Sequence, residues 1–227
     1  MSRIKRYYIA YGSNMNRKQM AKRCPDAVIE GTTSIRGYTL LFRGSHNCGV
    51  ATIEPNKKDS VPVLIWSISK RDEKNLDIYE GFPNLYIKKD FKVVLNGETV
   101  TAMAYIMSPG RKETPPSDTY FNTIATGYED FGFDIKYLRQ AATRSRSIQT
   151  KKTALIKKVE EYAIEQEIGN LPICPRCGND SMQSELYHNC LSRRADIYVC
   201  ENCGMDEAIK DFTGENDNLS EWYITSV

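Results

Sequence analysis

The first part of the chain alternates between apolar runs and short breaks, and this pattern predicts strands. Residues 3–11 are rich in tyrosine and isoleucine and predict a buried strand that stops at "YGSN". Apolar runs at 34–43 and 49–54 lie between glycines and predict two further strands. The next run, "VPVLIWSIS", is apolar on both faces, which is typical of a strand near the middle of a sheet.

Helical signals interrupt these strands at two places. Asn16 is a suitable cap for a short helix that ends near Arg23. The charged stretch "KRDEKNLDIYEG" predicts a second short helix that ends at Gly81. Two more strands follow, and Asn96 with Gly97 between them predicts a tight hairpin.

The pattern becomes helical in the second half of the chain. Ser117 is a candidate cap for one amphipathic helix, and a second helix is predicted to begin near Asp134. The polar, basic stretch "TRSRSIQTKK" predicts a hinge, and a further helix is predicted over 152–166. Beyond Leu171 the composition shifts to cysteine, glycine and asparagine, which indicates a second, small domain.

Strands that come before helices, without regular βαβ alternation, predict an α+β fold. We expect a small mixed β-barrel or sheet with flanking helices. No GxGxxG motif follows the first strand, which argues against a dinucleotide-binding fold. The predicted domains are residues 1–146, a helical linker over 147–170, and a C-terminal module over 171–227.

Composition narrows the possible partners and the compartment. The 31 lysines and arginines nearly balance the 29 aspartates and glutamates, so net charge gives no argument for nucleic acid or an anionic membrane. No apolar run approaches the roughly 20 residues that span a bilayer, and the first residues lack the apolar segment of a secretory signal. We therefore expect a cytoplasmic protein with no membrane partner.

The C-terminal module contains two CxxC pairs, which predict a metal site. Cys174 and Cys177 form the first pair, Cys200 and Cys203 the second, and 22 residues separate the pairs. This spacing is close to that of four-cysteine zinc sites in zinc ribbons. Because four thiolates complete a tetrahedral coordination sphere, the ion is expected to be structural Zn²⁺.

Other residues of this module are open to interpretation. Gly178 and Gly204 are predicted to allow a tight knuckle after each pair. His188 and Cys190 are alternative ligands, which the two CxxC pairs make less favoured. Arg193, Arg194 and Tyr198 have the composition of a nucleic-acid contact, although a solvated face and a packed strand are the commoner roles of such residues. Nucleic acid is therefore kept as a less favoured partner.

Two features of the first domain suggest chemistry. Gly12 allows close approach of a ligand, and successive N–H groups from Gly12 to Asn14 suit a carboxylate or an oxyanion. A simple turn is the plainer interpretation of this loop. Glu80 precedes Gly81 among apolar residues at a helix end, where burial and the helix dipole raise a carboxyl pKa and suit a general acid or base. A solvated helix-end glutamate is the plainer alternative.

Four separated motifs carry a family resemblance over residues 6–140. These are "YGSN", "GVAT", the glutamate–glycine pair of "IYEG", and "PPS" followed by a tyrosine. In order and spacing they resemble the γ-glutamylcyclotransferase family. The resemblance implies a small barrel-like fold and release of 5-oxoproline from a small γ-glutamyl amino acid or amine, with no cofactor for catalysis.

The resemblance also implies roles for individual residues. Glu80 matches the catalytic acid/base, which takes a proton from the substrate α-amine and returns it to the leaving nitrogen. The substrate-binding residues that it implies are Tyr11, Gly12, Ser13, Asn14, Tyr86 and Tyr120. The alternative is a non-catalytic module that binds a γ-glutamyl metabolite, with the zinc ribbon recruiting protein or nucleic acid. A Glu80 carboxyl far from the Tyr11–Asn14 loop would favour that alternative.

Overall fold

The fold is known from a computed structural model that describes residues 5–45, 48–169, 172–215 and 217–226. Two compact units are formed by residues 1–149 and 150–227. The strands are β1 Arg6–Ala10, β2 Val28–Gly44, β3 Val50–Ile68, β4 Tyr86–Leu95, β5 Glu98–Met107, β6 Lys112–Glu113, β7 Cys190–Leu191 and β8 Tyr198–Val199. The helices are α1 Arg17–Arg23, α2 Lys70–Tyr79, α3 Asp118–Asp130, α4 Lys136–Ile168, α5 Glu201–Thr213 and α6 Tyr223–Ser226.

The first unit is built on a curled, mixed sheet of six strands, which confirms the predicted α+β fold. Its order is β4-β5-β1-β3-β2-β6, with β1 and β5 parallel and the other pairs antiparallel. The sheet curls until β2 faces β4, although three strands separate them. Tyr38 of β2 packs edge-on against Phe91 of β4 with ring centroids 5.2 Å apart. The result is a half-barrel around an apolar core.

Strand β3 confirms one prediction and corrects another. The run "VPVLIWSIS" lies between β1 and β2, and its residues from Val63 to Ile68 are buried on both faces. However, the segment 49–54 is part of this same strand and not a separate one. Ser60 and Pro55 pair with Arg36 and Tyr38 of β2, and residues 56–59 form an irregularity opposite Gly37, whose φ is 77°. Because pairing with β2 is present on both sides of this irregularity, the polar stretch interrupts the pairing without ending the strand.

The predicted caps and turns are confirmed where side chains act locally. The Asn16 side chain accepts a hydrogen bond from the Gln19 N–H at 3.1 Å, and Ser117 caps α3 in the same way. Asn96 and Gly97 have φ values of 52° and 88° and join β4 to β5. These positive φ values are those of the hairpin turn that the pair favours.

The stretch "TRSRSIQTKK" contains the boundary between the two units, at residues 149 and 150, but the predicted break in the helix is absent, because α4 is continuous from Lys136 to Ile168. The Ser145 hydroxyl is buried and donates to the carbonyl of Ala142 at 2.9 Å, so it is satisfied inside the helix. Arg144 makes two hydrogen bonds to Glu113, of 2.9 and 2.7 Å. Polar residues therefore stabilise this part of the helix instead of breaking it.

The second unit contains more helix than an all-β zinc ribbon. A knuckle at 174–178 is followed by the short β7–β8 hairpin, and Cys200 is the N-cap of α5. A small apolar core includes Val159, Ile197 and Trp222. The boundary predicted at residues 170 and 171 lies outside the described residues. Within the described residues, no helix is long and apolar enough to span a membrane.

Candidate functional site

One cavity in the first unit brings together the seven catalytic and substrate-binding residues that the family resemblance implies. Its volume is about 200 Å³, a size for a small ligand. The lining residues are Tyr8, Tyr11, Gly12, Ser13, Asn14, Val50, Ala51, Tyr79, Glu80, Leu85, Tyr86, Tyr105 and Tyr120. The loop after β1, the start of β3, the end of α2, the paired strands β4 and β5, and α3 therefore meet around one space.

The "YGSN" loop leads into a short 3-10 turn over Ser13–Met15. The Met15 N–H donates to the Gly12 carbonyl at 3.0 Å, which closes the turn. The first N–H groups of a helical turn have no acceptor within that turn, so those of Ser13 and Asn14 are suited to an external acceptor. This geometry agrees with the predicted cradle.

Gly12 allows close approach of other parts of the protein, in addition to the predicted approach of a ligand. Its φ is −118°, which is not the left-handed region. A Cβ atom here would lie 3.2 Å from the Cβ of Ala51 and 3.5 Å from the Tyr120 hydroxyl. The glycine therefore allows close packing of the loop against β3 and α3.

Asn14 links this loop to Glu80. The Asn14 Nδ2 donates to Glu80 Oε1 at 2.8 Å and to the Tyr8 hydroxyl at 2.7 Å. Its main-chain oxygen accepts from Trp66 Nε1 at 3.2 Å. Both the side chain and the backbone of Asn14 are thus fixed, and the Glu80 carboxyl faces the loop, as the enzyme interpretation requires.

Glu80 lies at the C-terminal end of α2, where it caps the helix. Its N–H donates to the Leu76 carbonyl at 2.8 Å, and Gly81 follows with a φ of 62°. Burial raises the pKa of Glu80 to about 7, although the Arg23 charge and the Asn14 hydrogen bond both lower it. A carboxyl with this pKa can both take up and release a proton near neutral pH.

The two predicted pocket tyrosines are fixed by the same residue of β3. The Tyr86 hydroxyl donates to the Ala51 carbonyl at 2.8 Å, and the Ala51 N–H donates to the Tyr120 hydroxyl at 3.2 Å. Burial raises the pKa of Tyr120 to about 12 and that of Tyr86 still further. Both phenols are therefore neutral at pH 7, and they form a rigid aromatic wall.

Several residues of the site were not selected from the sequence. Tyr8 and Tyr105 line the cavity, and their rings pack edge-on with centroids 5.9 Å apart. Arg23 Nη1 donates to Asn14 Oδ1 at 2.5 Å. Tyr8 could have been found from its place in β1 near the loop. No sequence signal marked Arg23, because α1 carries several exposed basic residues.

The four predicted metal ligands also come together, in the second unit. The sulfurs of Cys174, Cys177, Cys200 and Cys203 all lie within 4.8 Å of one another. The Cys177 and Cys200 sulfurs are 4.0 Å apart. A tetrahedral ion with Zn–S bonds of about 2.3 Å separates its sulfurs by about 3.8 Å. This cysteine cluster therefore has the donors and the spacing of a four-thiolate metal site.

The structure also places the two alternative metal ligands and the two glycines that were predicted to form knuckles. His188 and Cys190 are outside the group of mutually close donors found among the described residues. Gly178 has a φ of 75° and forms the predicted knuckle. Gly204 lies in α5, so its predicted knuckle is wrong. A Cβ there would be 2.6 Å from the Cys190 sulfur, so this glycine makes room for Cys190.

The two arginines considered for nucleic-acid contact, Arg193 and Arg194, are paired with an acid. Arg193 and Arg194 lie 3.6 and 2.6 Å from the carboxylate of Asp211. Residues 150–227 contain 8 lysines and arginines and 14 aspartates and glutamates. Tyr198 pairs with Leu191 in the β7–β8 hairpin. An acidic unit with paired arginines is a poor match for a phosphate backbone.

Comparisons with known proteins agree with the geometry of the first unit. The human γ-glutamylcyclotransferase is 28% identical over 139 residues, which cover 57% of this chain and 73% of the human protein. The bovine γ-glutamylcyclotransferase is 27% identical over 142 residues, covering 59% and 75%. A solved structure named as a gamma-glutamyl cyclotransferase aligns with a TM-score of 0.56 at 26% identity, covering 61% of this chain and 86% of that one. The family model described as "Gamma-glutamyl cyclotransferase, AIG2-like" matches residues 8–122, about half of the chain. The chain therefore belongs to the γ-glutamyl cyclotransferase, AIG2-like family.

Proposed function

We propose that this protein is a γ-glutamylcyclotransferase that releases 5-oxoproline from a small γ-glutamyl amino acid or amine. Its family and its relatives named γ-glutamylcyclotransferase support the activity. The observation that carries the proposal is the position of Glu80, whose carboxyl meets the Asn14 side chain at 2.8 Å inside a cavity of about 200 Å³. An acid/base group and a main-chain cradle therefore face the same small space.

The reaction is an intramolecular attack. The ionised Glu80 carboxylate takes a proton from the substrate α-ammonium group, and the freed nitrogen lone pair attacks the γ-carbonyl carbon to close a five-membered ring. In the tetrahedral intermediate the proton on Glu80 passes to the leaving nitrogen, the bond to that nitrogen breaks, and the ring nitrogen loses its second proton to the released amine. The products are 5-oxoproline and a protonated amine, and the Glu80 carboxylate is regenerated. One group serves both transfers because its pKa is about 7.

The other cavity residues orient the substrate. The N–H groups of Gly12, Ser13 and Asn14 hold the substrate carboxylate or the developing oxyanion. The rings of Tyr11, Tyr86 and Tyr120 bound the space, so the amine and the carbonyl stay within reach of each other. A flexible glutamyl chain loses conformational entropy when it cyclises. Holding the two reacting groups close together on binding removes this cost from the reaction barrier.

Replacement of Glu80 by glutamine tests this function. Glu80→Gln keeps the shape and a hydrogen-bonding oxygen but cannot move protons, so release of 5-oxoproline from a panel of γ-glutamyl amino acids and amines should fall by at least about 100-fold. Glu129→Gln is the matched control, because Glu129 is exposed on α3 in the same unit. Turnover by Glu80→Gln near that of the control, with both proteins folded, would rule out this role.

We also propose that the cysteine cluster holds a structural Zn²⁺ ion. Four thiolates at tetrahedral spacing fill every coordination position, which leaves none for a substrate or water. Such an ion would tie the knuckle at 174–178 to the first turn of α5. The ion would stabilise the second unit, whose apolar core is small.

A further inference from the structure

Arg23 lies beside the cavity and contacts two of the elements that form it. This half-buried residue is the last of α1, and its guanidinium stacks on the Tyr79 ring at 3.6 Å from the centroid. Nη2 donates to Gln19 Oε1 at 2.8 Å, and Nη1 donates to Asn14 Oδ1 at 2.5 Å. The residue is thus anchored on two sides, with one donor directed at the Asn14 amide.

The Asn14 side chain has two chemically different ends. Its oxygen only accepts hydrogen bonds and its nitrogen only donates them. In the observed orientation the oxygen faces Arg23, and the nitrogen faces Glu80 Oε1 and the Tyr8 hydroxyl. Rotation of the amide by 180° would place N–H groups against the guanidinium and an oxygen against the carboxylate. Both contacts would then become repulsive.

We propose that Arg23 is a positioning residue that sets the orientation of the Asn14 amide and so keeps an N–H donor on the Glu80 carboxylate. Its consequence for turnover rests on the cyclotransferase function proposed above. Its consequence for the ionisation of Glu80 does not, because that is a property of the free protein.

The charges around Glu80 give Arg23 a second effect in the same direction. The titratable groups that face Glu80 from the surrounding elements are Tyr8, Tyr11, Cys24, Tyr86, Tyr105 and Tyr120, with Tyr79 adjacent in sequence. Burial raises the pKa of each of those six, so they are neutral at pH 7. The positive charge of Arg23 lowers the pKa of Glu80. Arg23 therefore favours the ionised base both directly and through Asn14.

The test compares Arg23→Met with two matched variants. Arg23→Lys keeps the charge and a donor for Asn14 Oδ1. Arg17→Met makes the same change as Arg23→Met on α1, at an arginine that stacks on Phe131 at 4.9 Å and is not among the residues that line the cavity. Two quantities are measured for each: the pH profile of kcat/KM, and the ¹³C titration of the Glu80 carboxyl, assigned by its loss in Glu80→Gln.

We expect the titration midpoint of Glu80 and the acidic limb of kcat/KM to move up by about one pH unit in Arg23→Met. At pH 6 kcat/KM then falls about tenfold, and at pH 9 it changes little. Arg23→Lys and Arg17→Met should keep the wild-type midpoint. An unchanged midpoint in folded Arg23→Met overturns the proposal, as does an equal shift in Arg17→Met. If the wild type has no cyclotransferase activity, the function fails, and the carboxyl titration still decides the role of Arg23.

Discussion

Asn14 Nδ2 donates a hydrogen bond to Glu80 Oε1 at 2.8 Å, which joins two residues 66 positions apart in the chain. Asn14 lies in the 3-10 turn after β1 and Glu80 caps α2, so this bond joins the β1 loop to the end of α2. The donor lies on the carboxylate that would carry the transferred proton. Catalytic competence should therefore depend on the chemistry of residue 14 as much as on that of residue 80.

Asn14→Asp should lower kcat/KM at pH 7 by about tenfold and move the acidic limb to higher pH. The substitution keeps the shape but replaces an N–H donor by a second carboxylate next to Glu80, and a like charge disfavours the ionised base. The measurement is the pH profile of 5-oxoproline release.

Asn16→Asp is the control for this prediction. Asn16 caps α1 by accepting a hydrogen bond from the Gln19 N–H, and aspartate performs that function equally well. Activity and stability should remain near those of the wild type. If both aspartate variants lost activity equally, a general sensitivity of the loop to charge would explain the result better than the Asn14–Glu80 bond.

The raised pKa of Glu80 predicts a cost in stability above pH 5. In the unfolded chain a glutamate ionises near pH 4.5, whereas in the folded protein Glu80 ionises near pH 7. Between these values the folded state binds more protons than the unfolded state, so the free energy of unfolding falls as pH rises. The loss is complete above pH 7 and is on the order of 3 kcal/mol at most.

Glu80→Gln removes this titration and gives the comparison. The variant should be close to the wild type in stability at pH 4.5 and more stable than the wild type at pH 8. Urea unfolding followed by the fluorescence of Trp66, which lies in β3 of the first unit, measures the difference. A stability gain that is the same at both pH values would contradict the linkage argument.

Local signals in the sequence were sufficient for much of the fold. The Asn96–Gly97 hairpin and the Asn16 and Ser117 caps are set by a few neighbouring residues, and all three are present. The break in the helix predicted at "TRSRSIQTKK" is absent because ion pairs such as Arg144–Glu113 stabilise α4 from distant parts of the chain, although the boundary between the two units does fall in this stretch. Contacts of that kind have no local signature.

The candidate site likewise contains residues that local motifs predicted and residues whose roles depend on contacts between distant parts of the chain. The cavity contains every residue that the family motifs indicated, because each motif lies at the end of a strand or helix that reaches the cavity. Arg23 and Ala51 affect the site through neighbouring residues. Arg23 orients the Asn14 amide, and the main chain of Ala51 fixes Tyr86 and Tyr120. A main-chain hydrogen bond leaves no trace in residue type, so the "GVAT" motif marked this part of β3 but not the role of Ala51.

Tyr120→Phe should destabilise the first unit by about 1 kcal/mol, because the Ala51 N–H loses its acceptor in a buried site. KM should rise as the start of β3 loosens. Tyr128→Phe makes the same change eight residues later in α3, where the buried hydroxyl has no hydrogen-bond partner among the described residues. That variant should be neutral or slightly stabilised. Urea unfolding measures the stability of both variants. An equal loss of unfolding free energy in the two would contradict the hydrogen-bond argument.

Metal analysis of cysteine variants tests the zinc proposal. We expect about one zinc per purified chain, and a large loss in Cys203→Ser, because three thiolates bind Zn²⁺ less tightly than four. Cys190→Ser is the control, since Cys190 belongs to the same unit but is outside the group of close donors. Trp222 is buried in the core of this unit, so its fluorescence should report unfolding when a chelator removes the metal. Retention of zinc by Cys203→Ser together with its loss from Cys190→Ser would assign the ligands differently.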